Sequence, residues 1–253
     1  MLAKYPSICE WRISHLVTGE YYCENIAGLV RASLQKIVDN VSGLKQRDEA
    51  AVNAVMEGLV LSGIAMSFAE ISRPASGLEH YFSHIWEMMA LERGLPAELH
   101  GIQVGIGTLL TLRIWEDLRG ITPDRQRALD FIKGFDETAW EGMVRRIFAS
   151  AADSILQTAR NEGRNDRADH ARRLEKTLAH WDDILAIVDE ELPPYQEIDG
   201  LMCEMGMPMT PEDIGFNRQD THDALLGARE IRQKYLTSSL LWDLGLLYTL
   251  VFP

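Results

Sequence analysis

The sequence predicts an all-α protein. Apolar residues recur at helical spacing along almost the whole chain, and proline and glycine signals separate the helical stretches. No run alternates polar and apolar residues over several strands, and no glycine-rich phosphate loop lies between a strand and a helix. With 253 residues, of which 46% are hydrophobic and 25% charged, the chain can bury a full core. We therefore predict one compact helical domain over residues 1–253.

The first half of the chain is predicted from periodicity and end signals. Apolar spacing predicts a helix over 21–41, and the alanine-, valine- and leucine-rich segment 50–68 predicts a buried helix. Ser76 and Glu79 have the spacing of a capping box, which predicts a helix from Ser76 to about Arg93. The Gly-Leu-Pro segment 94–96 ends it, and the next predicted helix spans 97–118.

The second half has two proline-containing helix starts. Thr122-Pro123-Asp124 and Thr210-Pro211 each have the pattern of an N-cap followed by proline at the first helical position. Helical patterns cover 139–160, 164–190, 195–205 and 219–246. The densest cationic segment, 160–173, is interleaved with acidic residues, which is typical of a solvated helix face.

Composition excludes several function classes. The formal net charge of −13 argues against binding to a phosphate backbone, so no nucleic acid partner is expected. The three cysteines lie far apart without a CxxC pair, which argues against disulfides and a cysteine zinc site and favours a cytoplasmic protein. No signal peptide is visible. The longest apolar runs, such as 240–252, are interrupted and too short for a bilayer, so we predict no membrane contact.

Three histidines have the spacing of a metal site. His80 and His84 are four residues apart, so they share one face of the predicted helix and could bind one divalent metal. His100 heads the next helix, and a returning chain could bring it beside His80. The alternative is that these are polar residues on a helix face, with His100 acting as a cap. A catalytic metal needs a third protein ligand, which must be a carboxylate or histidine from elsewhere.

The remaining histidines carry no predicted chemistry. His170, His180 and His222 lie in charged segments and are expected to be exposed.

The motifs resemble those of one known family. The segments S-R-P-A-S-G-L-E-H-Y-F-S-H at 72–84 and L-H-G-I-Q-V-G-I-G-T-L at 99–109 resemble sn-glycerol-1-phosphate dehydrogenases, in the dehydroquinate synthase-like, iron-containing alcohol dehydrogenase superfamily. Segments at both ends of the chain, at 2–23 and 231–247, are similar too. Dehydroquinate synthases instead carry a G-H-x-x-G-H pattern. The resemblance implies the C-terminal helical domain of that fold, with the N-terminal Rossmann-like domain absent.

The resemblance also implies residue roles. His80 and His100 match two metal ligands, and His84 matches a histidine near the substrate that is suited to proton transfer. The family's third ligand is an aspartate just before the stretch that matches Leu2, where this sequence begins, so we predict a half-enzyme that is inactive alone. We add the hypothesis that Ser72 and Arg73 hold the substrate phosphate, because arginine binds phosphate in bidentate fashion.

The implied chemistry is the interconversion of dihydroxyacetone phosphate and sn-glycerol 1-phosphate. The resemblance implies a phosphorylated triose as substrate, Zn²⁺ or Ni²⁺ as the metal, NAD(P) as the cofactor of the complete enzyme, and a homo-oligomer. Two alternatives remain open. The chain could be a non-catalytic, truncated helical interaction module, or part of a glycerol or polyol dehydrogenase of the same superfamily.

Overall fold

The computed structural model describes residues 1–250, and within them it contains helices and no strand, which confirms the all-α prediction. The α-helices of the first half are α1 (Lys4–Thr18), α2 (Glu24–Asp39), α3 (Val41–Lys45), α4 (Glu49–Ala69), α5 (Leu78–Glu92), α6 (His100–Arg119) and α7 (Arg125–Lys133). Those of the second half are α8 (Glu137–Phe148), α9 (Ala152–Asn161), α10 (Arg167–Ala179), α11 (Trp181–Glu191), α12 (Tyr195–Glu204), α13 (Arg218–Ala228) and α14 (Thr237–Asp243). Short 3-10 helices span Arg73–Ala75, Ala149–Ala151 and Pro211–Ile214. Residues 251–253, the end of the predicted domain and of the apolar run 240–252, lie outside the described residues.

The predicted helix starts are confirmed in one case and corrected in another. Thr210 forms a capping box with Asp213 and Pro211 follows it, but the helix that begins there is a 3-10 turn of four residues. In α7 the cap is Asp124, whose Oδ1 accepts the backbone N–H groups of two residues in the first turn at 2.9 and 3.1 Å. The predicted cap at Thr122 is therefore wrong, because the aspartate carboxylate satisfies these donors.

The capping box predicted for Ser76 is also wrong. Helix α5 begins at Leu78 with Gly77 as its N-cap residue, and no side chain caps it from that position. The Glu79 side chain instead turns back toward Gly77 and accepts its N–H at 2.8 Å. This start places His80 in the first turn of the helix.

The prediction that the helix over 50–68 is buried is wrong for its large side chains. Helix α4 packs closely on α2, and a Cβ atom on Gly58 would lie 2.6 Å from Ile37 Cδ1. Only small residues of α4 are buried, namely Ala51, Ala54, Gly58, Ser62, Ala65 and Ala69. Its exposed large apolar residues are Val52, Met56, Leu59, Val60, Ile64 and Phe68. The close approach to α2 needs small residues on the packed face, so the large ones face outward.

Helix α4 also bears on the membrane prediction. With 21 residues, it is long and apolar enough to cross a membrane by length and composition alone. Core helices of soluble proteins pass the same test.

The main core forms around α5, α6 and α13. Helix α5 buries Phe82 and Trp86 completely, and α6 buries Trp115 at 1% exposure. A smaller core, formed around Ile8 and Trp11 of α1, packs against α2 and the C-terminal part of α4. Helix α1 thus contributes to both cores and holds α5 against the α2–α4 pair.

Candidate metal centre

The histidines are brought together by the antiparallel pair of α5 and α6. Along this pair, Ser83 donates a hydrogen bond to Gln103 at 3.2 Å, and one turn further Glu87 contacts His100. At the other end, a Cβ atom on Gly107 would overlap the backbone carbonyl of Glu79, so the helices can approach this closely only because residue 107 is glycine. The predicted return of His100 to His80 is borne out, since their ring centroids lie 5.4 Å apart.

His80 is held by a buried carboxylate. Its Nδ1 lies 2.7 Å from Glu79 Oε1, and the Glu79 side chain is fully buried. An imidazole that donates its Nδ1–H to a carboxylate keeps Nε2 free for a metal, and this support also fixes the ring orientation. Burial lowers the pKa of His80, although the interaction with Glu79 partly opposes that shift. The neutral imidazole that a metal requires is therefore favoured.

The second oxygen of Glu79 faces another buried carboxylate. A Cβ atom on Gly77 would lie 2.5 Å from Glu10 Oε2 and 2.7 Å from Glu79 Oε2, so both oxygens lie beside Gly77. Burial and the nearby Glu79 raise the pKa of Glu10 to about 7. Glu10 in turn accepts the N–H groups of Leu78 and Thr237, each at 2.8 Å. The carboxylate behind His80 is thus part of an ordered buried network.

A second histidine–carboxylate group lies on the more exposed side of α5. Glu87 Oε1 is 2.9 Å from His100 Nδ1, and Glu87 Oε2 is 3.7 Å from His84 Nδ1. The His84 and His100 rings are stacked at 5.6 Å between centroids. One donor atom from each of His84, Glu87 and His100 lies within 4.8 Å of the other two, so these side chains could hold one metal ion. Glu87 is thus a carboxylate within reach of the histidines.

An apolar cavity of about 330 Å³ adjoins the histidines. His80 and His100 form part of its wall, together with Lys4 and apolar side chains of α2, α4, α6 and α12. Lys4 donates to the carbonyl of Ala75 at 2.9 Å, and burial lowers its pKa to about 8. The cavity gives a small molecule access to both imidazoles in surroundings of low polarity.

The two predicted phosphate-binding residues lie just before α5. Arg73 is 1% exposed, and it donates to Glu20 at 2.8 and 2.9 Å from Nε and at 2.5 Å from Nη2. Burial disfavours the charged form of Glu20, but the hydrogen bonds and charge of Arg73 outweigh it and lower the pKa of that carboxyl. Ser72 Oγ accepts from Lys234 at 3.2 Å. Arg73 is therefore already paired, and its role in phosphate binding remains a prediction.

Two features of the site were absent from the sequence predictions, and one expectation for a histidine elsewhere is wrong. Glu79 was interpreted as a cap, yet it supports His80. Glu87 follows His84 by three residues, a spacing that places both on one helix face and could have indicated it. The expectation that His170 is exposed is wrong, because its ring is fully buried and its Nε2 lies 3.0 Å from the carbonyl oxygen of Asp243.

Comparisons with known proteins agree with the motif. No family model matches the chain. The chain is 28% identical over 237 residues to the glycerol-1-phosphate dehydrogenase [NAD(P)+] of Geobacillus stearothermophilus, an alignment that covers 94% of this chain and 50% of that protein. It is 32% identical over 158 residues to the protein of that name from Geobacillus thermodenitrificans, covering 62% and 38% of the two chains. With that of Methanosarcina mazei it shares 36% identity over 124 residues, covering 47% and 33%.

The coverage is as informative as the identity. The chain spans about half the length of the curated relatives that it matches, or less. An all-helical chain that corresponds to only part of each relative fits the C-terminal domain that the motif indicated. The resemblance to glycerol-1-phosphate dehydrogenases, first indicated by the histidine motif, is thus confirmed over 94% of this chain.

Proposed function

We propose that this chain is the metal-binding half of an NAD(P)-dependent oxidoreductase that interconverts dihydroxyacetone phosphate and sn-glycerol 1-phosphate. The observation that carries the proposal is the convergence of His80 and His100, 5.4 Å apart beside a cavity, in a chain similar to enzymes of that name. We expect the nicotinamide cofactor to be held by the part of the relatives that this chain does not match. Accordingly, we expect no turnover by this chain alone.

The donor set suits a borderline divalent metal such as Zn²⁺ or Ni²⁺. His80 and His100 supply imidazole nitrogens, and Glu87 supplies a carboxylate beside His100. When bound, such a metal polarises a carbonyl and stabilises the alkoxide that develops on reduction. Glu79 orients the His80 ring through its Nδ1, and the rest of the cavity wall is mainly apolar.

His84 is our candidate for proton transfer. Its side chain is 35% exposed and lies next to His100 and Glu87. Burial lowers the pKa of His84, which favours the neutral ring. In that form the ring can accept the hydroxyl proton when the alcohol is oxidised, and the imidazolium so formed can return it to the alkoxide oxygen in the reverse reaction. Ser72 and Arg73 remain our candidates for binding the substrate phosphate. Arg73 can bind it only if its hydrogen bonds to Glu20 break.

Metal content tests the ligand assignment. After dialysis against Zn²⁺ or Ni²⁺ and removal of free metal, we expect one equivalent in this chain and a clear loss in His80→Ala and His100→Ala. The matched control is His180→Ala, which removes a histidine whose ring pairs with Asp183 outside the centre. Stoichiometric metal that survives in both His80→Ala and His100→Ala would refute the assignment.

Substrate comparison tests the reaction. In the complete enzyme we expect turnover of dihydroxyacetone phosphate and little turnover of dihydroxyacetone. The reverse preference would favour a polyol dehydrogenase instead. Arg73→Ala should raise KM for the phosphorylated substrate while leaving KM for the nicotinamide unchanged.

A helical interaction module is the second candidate, because α4 exposes a long apolar face. Such faces mark contact surfaces between proteins. The predicted homo-oligomer could form there, and light scattering of this chain and of Val60→Glu would test it.

A cytoplasmic location is also proposed, supported by three cysteines that are free in the structure.

A further inference from the structure

When His100 is neutral, one of its ring nitrogens carries a proton and only the other can bind a metal. Its Nδ1 has two partners, Ser83 Oγ and Glu87 Oε1, each at 2.9 Å. A serine hydroxyl can donate or accept, so the contact with Ser83 does not by itself show which ring nitrogen is protonated. The partners of Ser83 decide the question.

The side chain of Gln103 lies beside Ser83 and can point in only one direction. Gln103 is fully buried on α6, one turn after His100, and its Nε2 donates to the carbonyl oxygen of Glu98 at 2.8 Å. A carbonyl oxygen only accepts hydrogen bonds, so the amide nitrogen must lie on that side. The amide oxygen of Gln103 therefore faces Ser83 Oγ, at a distance of 3.2 Å.

The Ser83 hydroxyl has one proton for these neighbours. The amide oxygen of Gln103 has none, and a buried oxygen without a donor is unfavourable, so the hydroxyl donates to it. The other acceptor near this hydroxyl, Glu87 Oε1, is farther away at 3.5 Å. Ser83 Oγ can then only accept from the His100 ring, which places the ring proton at Nδ1. The contact between Glu87 and Nδ1 agrees, because a carboxylate also only accepts.

We propose that Ser83 and Gln103 are positioning residues that hold the ring proton of His100 at Nδ1 and leave Nε2 free for the metal. This role rests on the proposed function, in which His100 is a metal ligand. His80 reaches the same state by another route, because Glu79 accepts from its Nδ1 at 2.7 Å. The two rings, 5.4 Å apart, would then both present Nε2 as the ligand atom.

The chain of hydrogen bonds also holds the start of α6. Glu98 lies in the loop just before this helix, and no side chain caps the helix from its N-cap residue, Leu99. The bond from Gln103 to the Glu98 carbonyl fastens that loop, while Ser83 belongs to α5. Ser83 and Gln103 thus fix both the proton of His100 and the position of the helix turn that carries it.

Nitrogen-15 NMR of the metal-free chain at about pH 8.5, where imidazole is neutral, reads the tautomer directly. Comparison with His100→Gln identifies the His100 resonances, and we expect the proton at Nδ1. Glu87→Ala removes the second acceptor and should leave this tautomer unchanged. Adding Ser83→Ala to that variant removes the remaining acceptor, and the Nε2–H tautomer should appear. A side chain with a merely structural role would not move this signal.

Zn²⁺ calorimetry measures the effect on the metal. Ser83→Ala and Gln103→Leu should each weaken Zn²⁺ binding by about 10- to 100-fold, the loss typical when a supporting partner of a ligating histidine is removed. Ser62→Ala, which changes a buried serine of α4 outside the centre, should bind Zn²⁺ as the parent chain does. Ser83→Ala removes only one hydroxyl, so it tests the proposal even if Gln103→Leu does not fold.

Two results would overturn the proposal in the NMR experiment: an Nε2–H tautomer of His100 in the parent chain, or a change of tautomer in Glu87→Ala alone. Zn²⁺ binding in Ser83→Ala as tight as in Ser62→Ala would also overturn it. Failure of the proposed function gives a different result, in which the parent chain binds no Zn²⁺ although its His100 carries the proton at Nδ1. That outcome would support the proton assignment and refute the metal centre.

Discussion

Two histidine environments in this chain look alike by their lowered pKa and differ in geometry. His80 and His170 both have a pKa lowered mainly by burial, and each has a carboxylate residue nearby. Yet the ring of His170 packs edge-on against Trp242 at 5.2 Å, and its Nε2 faces a backbone carbonyl. The ring of His80 faces His100 and a cavity. What distinguishes a candidate site here is a second imidazole with access to a ligand, not burial.

The carboxylates beside the two histidines show the same difference. Asp243 is fully buried, and it accepts two hydrogen bonds from Arg173 and one from Tyr235 at 3.1 Å. Its oxygens are therefore occupied. Glu87 has a 36% exposed side chain, and its close ion-pair contacts are with His84 and His100. Glu87 and its two histidines could therefore bind a metal ion, whereas Asp243 could not.

The largest effect on the free energy of unfolding is expected from a substitution of Asp243. Asp243→Ala would leave Arg173, whose side chain is 17% exposed, without its charge partner, and should lower the free energy of unfolding by about 3–5 kcal/mol. Urea denaturation measures this. Asp153→Ala, which removes an 85% exposed carboxylate, should change stability by less than about 0.5 kcal/mol. Because Asp243 lies outside the histidine centre, metal affinity of the folded fraction should not change.

The next largest effect is expected at Glu79. Glu79→Ala would remove the acceptor of both the Gly77 N–H and His80 Nδ1, and should cost about 1–3 kcal/mol of stability. It should also weaken Zn²⁺ binding by about 10- to 100-fold, because the His80 ring is no longer oriented.

Glu79→Gln provides the control, since its amide oxygen can still accept both hydrogen bonds. We expect this variant to recover most of the stability and of the Zn²⁺ affinity. If Glu79→Ala bound Zn²⁺ as tightly as the parent chain, the positioning role of Glu79 would be refuted.

A smaller effect should follow acidification at His170. The folded chain lowers the pKa of His170 below its usual 6.5, so the unfolded chain binds the proton more readily. The stability that neutral His170 contributes is complete above pH 6.5 and is lost as the pH falls toward the folded pKa. Attraction to Asp243 opposes the shift, which limits the effect. Urea unfolding of the parent and of His170→Gln, above and below pH 6.5, should show a steeper acid loss in the parent.

Sequence reasoning predicted the parts of this molecule that depend on local patterns. Periodicity indicated α5 and α6, and the spacing of His80, His84 and His100 indicated one cluster, which the structure contains. The family resemblance supplied the expected metal chemistry, but it did not indicate Glu87. Its contact with His100 depends on the register of two antiparallel helices, which local spacing does not encode.

The errors about burial have one physical cause. The apolar composition of α4 predicted burial, but the close approach of α2 at Gly58 selects the small face for packing. Charged residues over 160–173 predicted a solvated face, yet Arg164 and His170 are buried by charges and rings from distant segments. In both cases a segment that is distant in the sequence determines which face of the helix is buried. The composition of the helix alone does not show where that segment packs.

The smallest effect on stability, and the sharpest test of the comparison, is expected at Glu87. Because its side chain is partly exposed and its ion pairs are with His84 and His100, Glu87→Gln should change the free energy of unfolding by less than about 0.5 kcal/mol. If its carboxylate binds the metal, the same change should weaken Zn²⁺ binding by about tenfold or more, as measured by calorimetry. Glu92→Gln, on the same helix, is the matched control.

The histidine variants then decide which imidazoles share that metal with Glu87. A larger loss in His80→Ala than in His84→Ala supports the pair of His80 and His100. The opposite order would assign the ion to His84, Glu87 and His100, whose donor atoms already lie within 4.8 Å of one another. In that case His84 would be a ligand and could no longer serve as the proton donor. Unchanged Zn²⁺ affinity in Glu87→Gln would instead show that the exposed carboxylate, like Asp243, contributes no ligand.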